Sequence, residues 1–295
     1  MVSGGSRILA YDVGGSHISA ALCSESDLSL GPVVKAPLPE EQSPQAFFDV
    51  LMQLAGKAGA EAKTAAGAAF AMPGPFDYDA GVSWMEHKMA YLYGVNLREG
   101  LAQRMRWSGG QVRFLNDAAA YLLGEVGAGA ARNVARVAGF TLGTGIGSGY
   151  AVNGRIVVEG PGVPPGGEIW NVPFEGGIVE DLVSTRFVKR AYRERTGCEK
   201  DVAEIAAAAP GDADAAAVFA EFGRNLGRVI RIQLRDFAPD VVVLGGGIAH
   251  SAHLFLRTAW QEIKGTALEL RISLLWERAP LVGAAVAWLG AEPAE

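Results

Sequence analysis

The sequence has little cysteine and no excess of positive charge. Its 295 residues include two cysteines, Cys23 and Cys198, and no Cys-x-x-Cys pair or Cys/His cluster. Two free thiols in a reducing compartment are therefore expected, rather than a disulfide framework or a cysteine-based metal site. Lys and Arg number 26 against 32 Asp and Glu, which gives a net charge of −6. Neither nucleic acid nor an anionic membrane surface is an expected partner of such a chain.

Targeting and membrane signals are also missing. The N-terminal sequence MVSGGSRILA has no basic region followed by a long apolar run, so no signal peptide is predicted. No apolar stretch approaches the ~20 residues that span a bilayer. The chain also lacks a GxxxxGK[ST] sequence, which excludes the P-loop nucleotide enzymes. These absences predict a soluble, cytoplasmic protein.

The sequence does contain enough apolar material for a large core, in alternating strand and helix patterns. Hydrophobic residues make up 49% of the chain. The patterns predict an α/β fold with two similar halves, each beginning with a strand hairpin. Strands are predicted over residues 7–11, 18–23, 31–36, 65–71, 111–115, 135–142, 150–152 and 271–275, with a further buried strand in the DVVVLGGG segment. Helices are predicted over residues 44–60, 179–195, 213–236 and 281–289. A further alanine-rich helix is capped by Asn116 or Asp117, and another follows the glycines of the DVVVLGGG segment.

Two similar glycine turns occupy equivalent points of the two halves. YDVGGS (residues 11–16) and FTLGTG (residues 140–145) share an aromatic, polar, apolar and glycine order between apolar strands. One such turn is also what an ordinary hairpin requires. The pair suggests an internal duplication whose loops face one cleft.

The chemistry of these turns is compatible with phosphate binding. Exposed backbone N–H groups form anion sites, and Asp12 beside them would then contact a Mg²⁺ ion. The alternative is that Asp12 only hydrogen-bonds its own turn. The glycines of LGGGIAHS (residues 244–251) could likewise lie against a purine, or only allow close packing of a helix on a strand.

The motifs taken together resemble the ROK family of sugar kinases. DVGGS, LNDAAAYLLGE, TLGTGIGSG, GGEIWN, GIVED and VVVLGGGI follow that family in order and spacing over nearly the whole chain. The resemblance implies two actin-like (ribonuclease H-like) α/β domains with an interdomain cleft. It also implies ATP-dependent phosphorylation of a sugar hydroxyl, as in glucokinases and hexokinases.

The resemblance also assigns roles to particular residues. Asp117 would be the catalytic base, and Asn116 and Asp117 would contact the sugar. Asp12 would contact Mg²⁺ through water or ATP. Glu168 and Glu180 match two ligands of sugar hydroxyls. The nucleotide would be bound by Asp12, Gly14, Gly15 and Ser16 of the first loop, Gly143, Thr144, Gly145 and Gly147 of the second, and Gly245, Gly246 and Gly247 on the adenosine side.

The chain departs from the family at the zinc motif. Asn171 stands where the family has a histidine, and Ile178 where it has the last cysteine. No structural zinc is therefore expected. Asn171 could still hydrogen-bond a sugar hydroxyl, and Trp170 and Phe174 either shape the sugar pocket or belong to ordinary packing.

The sequence thus predicts a sugar kinase that uses ATP and Mg²⁺. The N-terminal domain is expected over residues 1–116, with a C-terminal helix at about 281–295 packing back on it, and the second domain over residues 117–280. A homodimer is implied by the resemblance alone. Two alternatives remain at this point: a catalytically silent, sugar-sensing regulator, and a kinase for an N-acetylhexosamine or another sugar.

Overall fold

The structure, a computed structural model, describes residues 6–60 and 65–290. The chain forms two compact units. Unit 1 comprises Met1–Gly129 and Glu277–Glu295, and unit 2 comprises Ala130–Trp276. The two divisions therefore lie after Gly129 and after Trp276, whereas the sequence placed them before Asp117 and after Pro280.

Unit 1 contains seven strands and four helices within the described residues. The strands are β1 (Arg7–Val13), β2 (His17–Ser24), β3 (Val34–Pro37), β4 (Gly67–Met72), β5 (Phe76–Asp77), β6 (Val82–Ser83) and β7 (Val112–Asn116). The helices are α1 (Pro44–Lys57), α2 (Leu97–Met105), α3 (Asp117–Ala128) and α9 (Ala279–Leu289). The α1 helix begins as expected for Ser-Pro: the Ser43 hydroxyl accepts from the Ala46 N–H at 3.2 Å, and Pro44 takes the first helical position.

The main sheet of unit 1 has the order β3-β2-β1-β4-β7. The first three strands are antiparallel neighbours, whereas β1, β4 and β7 run parallel. Asp12 pairs with Ala71, and Met72 pairs with Asn116. The carboxyl ends of three parallel strands therefore meet at one edge, which is where open α/β sheets bind ligands.

Small residues bring two helices of unit 1 into close contact. A Cβ atom on Gly124 of α3 would overlap the Ala279 carbonyl oxygen, and a Cβ on Gly283 of α9 would overlap that of Ala120. The α9 helix also packs on the sheet face that carries Ile8, Ala10, Ala21 and Ala69. The last helix thereby supports the helix that begins at Asp117.

Unit 2 has the same sheet arrangement. Its strands are β8 (Arg136–Leu142), β9 (Ile146–Val152), β10 (Arg155–Ile156), β11 (Pro173–Phe174), β12 (Gly177–Ile178), β13 (Val241–Gly245) and β14 (Glu269–Ile272), and its helices α4 (Val179–Leu182), α5 (Thr185–Thr196), α6 (Val202–Ala208), α7 (Ala213–Gln233) and α8 (Ala252–Ile263). The order β10-β9-β8-β13-β14 again combines an antiparallel hairpin with parallel strands. The repeated topology agrees with the paired glycine turns of the sequence.

Some element boundaries differ from those predicted. The helix predicted over residues 179–195 is interrupted after Leu182, because Val183 and Ser184 leave helical geometry and the Thr185 N–H donates to the Gly143 carbonyl at 2.8 Å. The strand predicted over residues 31–36 is β3, and the one predicted over residues 271–275 is β14. Helices α2 and α6 were not predicted. Within the described residues, none of the helices is both long and apolar enough to cross a membrane.

Candidate active site

The first glycine turn joins β1 to β2 in unit 1. The Gly14 N–H donates to the His17 carbonyl at 2.9 Å, which closes the turn and leaves Gly15 and Ser16 exposed at its tip. The Ser16 hydroxyl lies 3.1 Å from His17 Nδ1. No atom lies within 4 Å of the point where a Cβ on Gly15 would stand. The tip therefore leaves room for a ligand to reach the backbone.

Asp12 lies before this turn, in an acidic environment. Burial raises the pKa of its carboxyl group to about 7, and the negative charges of Asp117 and Glu277 act in the same direction, while Lys35 opposes them. Lys35 Nζ and Glu277 Oε2 form an ion pair at 2.5 Å. Two half-buried carboxylates near each other are compatible with a bound cation, and the Mg²⁺ contact of Asp12 stays a prediction.

Asn116 and Asp117 occupy different positions at the start of α3. Asn116 is the N-cap: its Oδ1 accepts from the Ala118 N–H at 2.9 Å and the Ala119 N–H at 3.2 Å. Asp117 is the first helical residue, and its Oδ1 accepts from the Ala118 N–H at 2.8 Å. Because Asn116 caps the helix, capping alone does not explain the acid at position 117.

Tyr78 lies in the segment that follows β4 and is hydrogen-bonded to Asn116. Asn116 Nδ2 donates to the Tyr78 hydroxyl at 3.3 Å, and this hydroxyl donates to the Met72 carbonyl at 3.2 Å. Arg98 of α2 in turn donates to the Tyr78 carbonyl at 3.1 Å and the Asp79 carbonyl at 2.9 Å. The N-cap residue is thereby tied to the ends of both β4 and β7.

The second glycine turn joins β8 to β9 in unit 2. The Gly143 N–H donates to the Gly145 carbonyl at 2.9 Å, which leaves Thr144 exposed at the tip. No atom lies within 4 Å of a Cβ built on Gly143. Gly147 follows the turn inside β9, where it pairs with Thr141. This turn therefore leaves the same kind of open backbone as the first.

Glu180 of α4 is hydrogen-bonded to the residue that follows the second turn. Its Oε2 accepts from the Ile146 N–H at 3.2 Å, and its Oε1 forms an ion pair with Arg186. A Cβ on Gly145 would overlap the Glu180 carboxylate, so a larger residue there would displace that side chain. The structure thus places this predicted sugar ligand against the predicted phosphate loop.

The third glycine run ends β13, beside the second turn. Gly246 has φ 82°, a conformation that favours glycine, and a Cβ there would lie 2.6 Å from the Leu142 carbonyl oxygen. Gly245 pairs with Thr141, whereas Gly247 has no atom within 4 Å of its Cβ position. The run therefore packs closely against β8 at Gly246 and leaves open space at Gly247.

Glu168 and Asn171 lie on the exposed loop before β11. The Ser148 hydroxyl anchors this loop by donating to the Gly167 carbonyl at 2.5 Å and accepting from the Ile169 N–H at 2.9 Å. The Trp170 indole donates to Glu168 Oε2 at 2.9 Å, and both side chains are exposed. The loop contacts Glu180, whose N–H donates to the Trp170 carbonyl at 3.1 Å.

A hairpin of β11 and β12 occupies the segment where the family has its zinc motif. Phe174 is buried in the core of unit 2, which identifies it as packing rather than a pocket wall. Glu175 in the turn forms an ion pair with Arg228 at 3.0 Å. Asn171 and Ile178 cannot supply the usual zinc ligands. In residues 6–60 and 65–290, no group of three or more His, Cys, Asp or Glu side chains could hold a metal ion.

The structure groups the predicted residues within each unit and adds others. Asp12, the first turn, Asn116 and Asp117 share the carboxyl edge of the unit 1 sheet. The second turn, Glu180 and the third glycine run share that of unit 2. Sequence reasoning missed Lys35, Glu277, Tyr78 and Arg186. Lys35 and Glu277 are 242 positions apart, and no sequence pattern relates them.

Known proteins resemble this chain over most of its length. A sequence model described as the ROK family matches residues 8–290. A curated glucokinase of Thermotoga maritima is 27% identical over 275 residues, which are 84% of this chain and 84% of that protein. A curated N-acetyl-D-glucosamine kinase of Pectobacterium atrosepticum is 25% identical over 268 residues, covering 83% and 85%. The crystal structure of a ROK hexokinase from Thermus thermophilus is 25% identical with a TM-score of 0.79, covering 95% of this chain and 97% of that one.

Proposed function

Because this chain belongs to the ROK family, we propose that it transfers the terminal phosphoryl group of ATP to a sugar hydroxyl, with Asp117 as the general base. The predicted family, the actin-like α/β fold class and the predicted enzyme class, a sugar kinase, are confirmed by the family match and the relatives. The assignment of individual residues rests on the geometry of each unit.

The proposed role of Asp117 rests on one observation: the neighbouring residue, Asn116, already caps α3. Asn116 accepts from two backbone N–H groups of the first turn of α3. The carboxylate of Asp117 lies at the ligand-binding edge of the sheet, close enough to Asp12 to raise its pKa. The partial positive charge at the N-terminus of α3 lies next to this carboxylate.

In this mechanism Asp117 removes the proton of the attacking sugar hydroxyl. The sugar oxygen forms a bond to the γ-phosphorus of ATP, the bond from that phosphorus to the bridging oxygen breaks, and ADP leaves with the electron pair. The proton ends on the Asp117 carboxylate. General-base assistance of this kind contributes ~10²–10⁴-fold to the rate.

Residues of each unit, taken separately, are compatible with binding part of a magnesium–nucleotide complex. Gly15, Gly143 and Gly247 each leave open space where a side chain would stand, so phosphate or adenosine groups can approach their backbone. Asp12 would bind Mg²⁺ directly or through water, since Mg²⁺ commonly uses one or two carboxylates and completes its coordination with water and phosphate oxygens. Bound Mg²⁺ would neutralise phosphate charge during transfer.

The sugar ligands remain part of the proposal. Glu168 and Asn171 are exposed on a loop that Ser148 anchors, and Glu180 is bonded to the same loop. We propose that Glu168 accepts hydrogen bonds from sugar hydroxyls and that Asn171 both accepts from and donates to them. We also propose that Glu180 contacts the sugar and fixes the second glycine turn. A hexose is the proposed substrate class. A cytoplasmic location and a homodimer are proposed on the resemblance alone.

The experiment is a coupled ADP-release assay over hexoses and N-acetylhexosamines with Mg²⁺ and ATP. Asp117→Asn is expected to lower kcat by about 10²-fold or more while ATP binding is retained. The matched control is Asp49→Asn, which changes an exposed carboxylate of α1 in the same unit. Near-normal turnover in Asp117→Asn contradicts the role of Asp117. Sugar binding without turnover in the wild-type protein contradicts the kinase and favours a sensor.

A further inference from the structure

Lys35 lies on the same face of the unit 1 sheet as Asp12. In the strand register, Asp12 of β1 pairs with Ser19 of β2, and Ser19 pairs with Lys35 of β3. Paired residues of antiparallel strands point to the same face of a sheet, and neighbouring strands are ~4.8 Å apart. The Cα atoms of Asp12 and Lys35 are therefore ~10 Å apart, in one row across the sheet.

The segment that carries Lys35 is bonded to the first glycine turn. The Leu38 N–H, just after β3, donates to the Ser16 carbonyl at 3.1 Å. Ala36, the neighbour of Lys35, is buried in the core on the other face of the sheet, so Lys35 points away from that core. The flexible four-carbon stem of a lysine at this position can direct its ammonium group toward the turn.

Lys35 is the positive charge in an otherwise acidic group. Of the three charged side chains that act on Asp12, Asp117 and Glu277 raise the pKa of its carboxyl group, whereas Lys35 lowers it. A nucleotide remains anionic after Mg²⁺ has bound, and the acids of this group repel its phosphates. A phosphate at the first turn therefore requires a cation at short range, and Lys35 can supply one.

The partner of Lys35 is one that it can exchange. Lys35 Nζ contacts Glu277 Oε2 at 2.5 Å, and the two side chains are 46% and 78% exposed. Exposed ion pairs contribute little to stability, because water screens the charges and two long side chains lose their freedom. Replacing the carboxylate by a phosphate oxygen keeps a charge-assisted hydrogen bond on the ammonium group. The exchange therefore has a low cost.

We propose that Lys35 binds a phosphate oxygen of the nucleotide at the first glycine turn, and that Glu277 competes with the nucleotide for this lysine. This role of Lys35 rests on the proposed function, because it belongs to the same nucleotide site. Lysine suits the role, since its ammonium group is a compact point charge that can move from one anion to another. Loss of Lys35 should then weaken nucleotide binding, and loss of the Glu277 charge should strengthen it.

The test is calorimetric titration of the full chain with a non-hydrolysable ATP analogue in the presence of Mg²⁺. Lys35→Gln is expected to weaken binding about tenfold, the effect of one lost charge-assisted hydrogen bond, and Lys35→Arg should retain most of the affinity. Glu277→Gln is expected to tighten binding about two- to threefold, because it releases Lys35. The matched control, Lys57→Gln, removes the same charge from an exposed position of α1 and should change affinity less than about twofold.

The double variant Lys35→Gln/Glu277→Gln separates competition for the lysine from a general change of charge. If Glu277 acts by holding Lys35, removing its charge brings no gain once the lysine is absent, and the double variant should bind the analogue like Lys35→Gln. An equal gain in both backgrounds would mean that Glu277 only repels the nucleotide, and it would overturn the competition for Lys35.

The remaining outcomes distinguish the role of Lys35 from the proposed function. Wild-type binding that Lys35→Gln leaves unchanged overturns the role of Lys35 alone. Weaker binding in both Lys35→Gln and Glu277→Gln identifies an ion pair that only ties β3 to the segment before α9, and it also overturns that role. Absence of nucleotide binding by the wild-type protein overturns the proposed function as well. Because the titration involves no phosphoryl transfer, its result does not depend on Asp117 being the base.

Discussion

Replacing Asp12 by asparagine should stabilise the ligand-free protein at high pH. Burial and the nearby charges of Asp117 and Glu277 raise the pKa of Asp12 from 3.8 to about 7. The folded protein therefore binds this proton more tightly than the unfolded chain. Between about pH 4 and pH 7 the contribution of Asp12 to stability falls as pH rises, and above pH 7 the full penalty is present.

The size of this penalty follows from the pKa shift. Three pKa units correspond to about 4 kcal/mol, which is an upper bound for a side chain that is only half-buried. Solvent screening and local relaxation reduce this to about 1–2 kcal/mol. For 295 residues, an unfolding entropy of about 2.1 cal/mol/K per residue means that 1 kcal/mol shifts the thermal midpoint by about 1.6 °C. Asp12→Asn should therefore unfold about 2–3 °C above the wild type at pH 8 and near it at pH 4.

Scanning calorimetry of the full chain from pH 4 to pH 8, without Mg²⁺, measures this difference. The variant is compared with the wild type at each pH, so the titrations of other groups cancel. Asp49→Asn serves as a control for loss of a carboxylate on the surface of the same unit. A difference that is independent of pH, or that shrinks as pH rises, refutes the reasoning. Mg²⁺ with a non-hydrolysable ATP analogue should stabilise the wild type more than the variant.

Two further substitutions test how Asp117 is held in place. Gly283→Ala should destabilise unit 1 by about 3 kcal/mol, because its Cβ overlaps the Ala120 carbonyl; Gly56→Ala, in open space on α1, should be neutral or stabilising. Thermal unfolding measures both, and equal effects would contradict the close helix contact. Tyr78→Phe removes the hydroxyl that braces Asn116 and should lower kcat about fivefold, with a smaller effect on the KM for ATP. Steady-state kinetics measure kcat and KM, and circular dichroism measures the folded fraction of each protein. The second measurement is needed because a loss of folded protein would also lower the apparent kcat at unchanged KM.

The fold was predictable because its signals are local. The hairpins and the buried β13 strand follow from apolar runs that end at glycine, and α1 follows from Ser43-Pro44 and its apolar face. The break after Leu182 was not predictable, because it depends on a hydrogen bond from Thr185 to Gly143, 42 positions away in the sequence. Helix α2 had a signal that could have been used: Asn96 caps it, and Leu97, Leu101 and Met105 have helical spacing.

The candidate site was predictable only where a short motif carries it. The glycine turns and the Asn116–Asp117 pair can be read from neighbouring residues. The electrostatic environment of Asp12 cannot, because Lys35 lies on β3 and Glu277 precedes the last helix. Tyr78 reaches Asn116 through the segment after β4, and no periodicity in the sequence marks that contact.

The segment between Asn171 and Glu180 lies where the family has its zinc motif. In this chain, side-chain contacts of the β11–β12 hairpin order that segment. Phe174 anchors the hairpin in the core, Arg228 binds Glu175 in its turn, and Asp181 Oδ2 accepts from the Ile178 N–H at 3.0 Å. The same segment sets the start of α4 and hence the position of Glu180. Because Glu180 also accepts a hydrogen bond from Ile146 beside the second glycine turn, the order of the hairpin and the shape of this proposed phosphate loop are physically linked. On the proposed function, a substitution in the hairpin should therefore affect nucleotide binding as well as sugar choice.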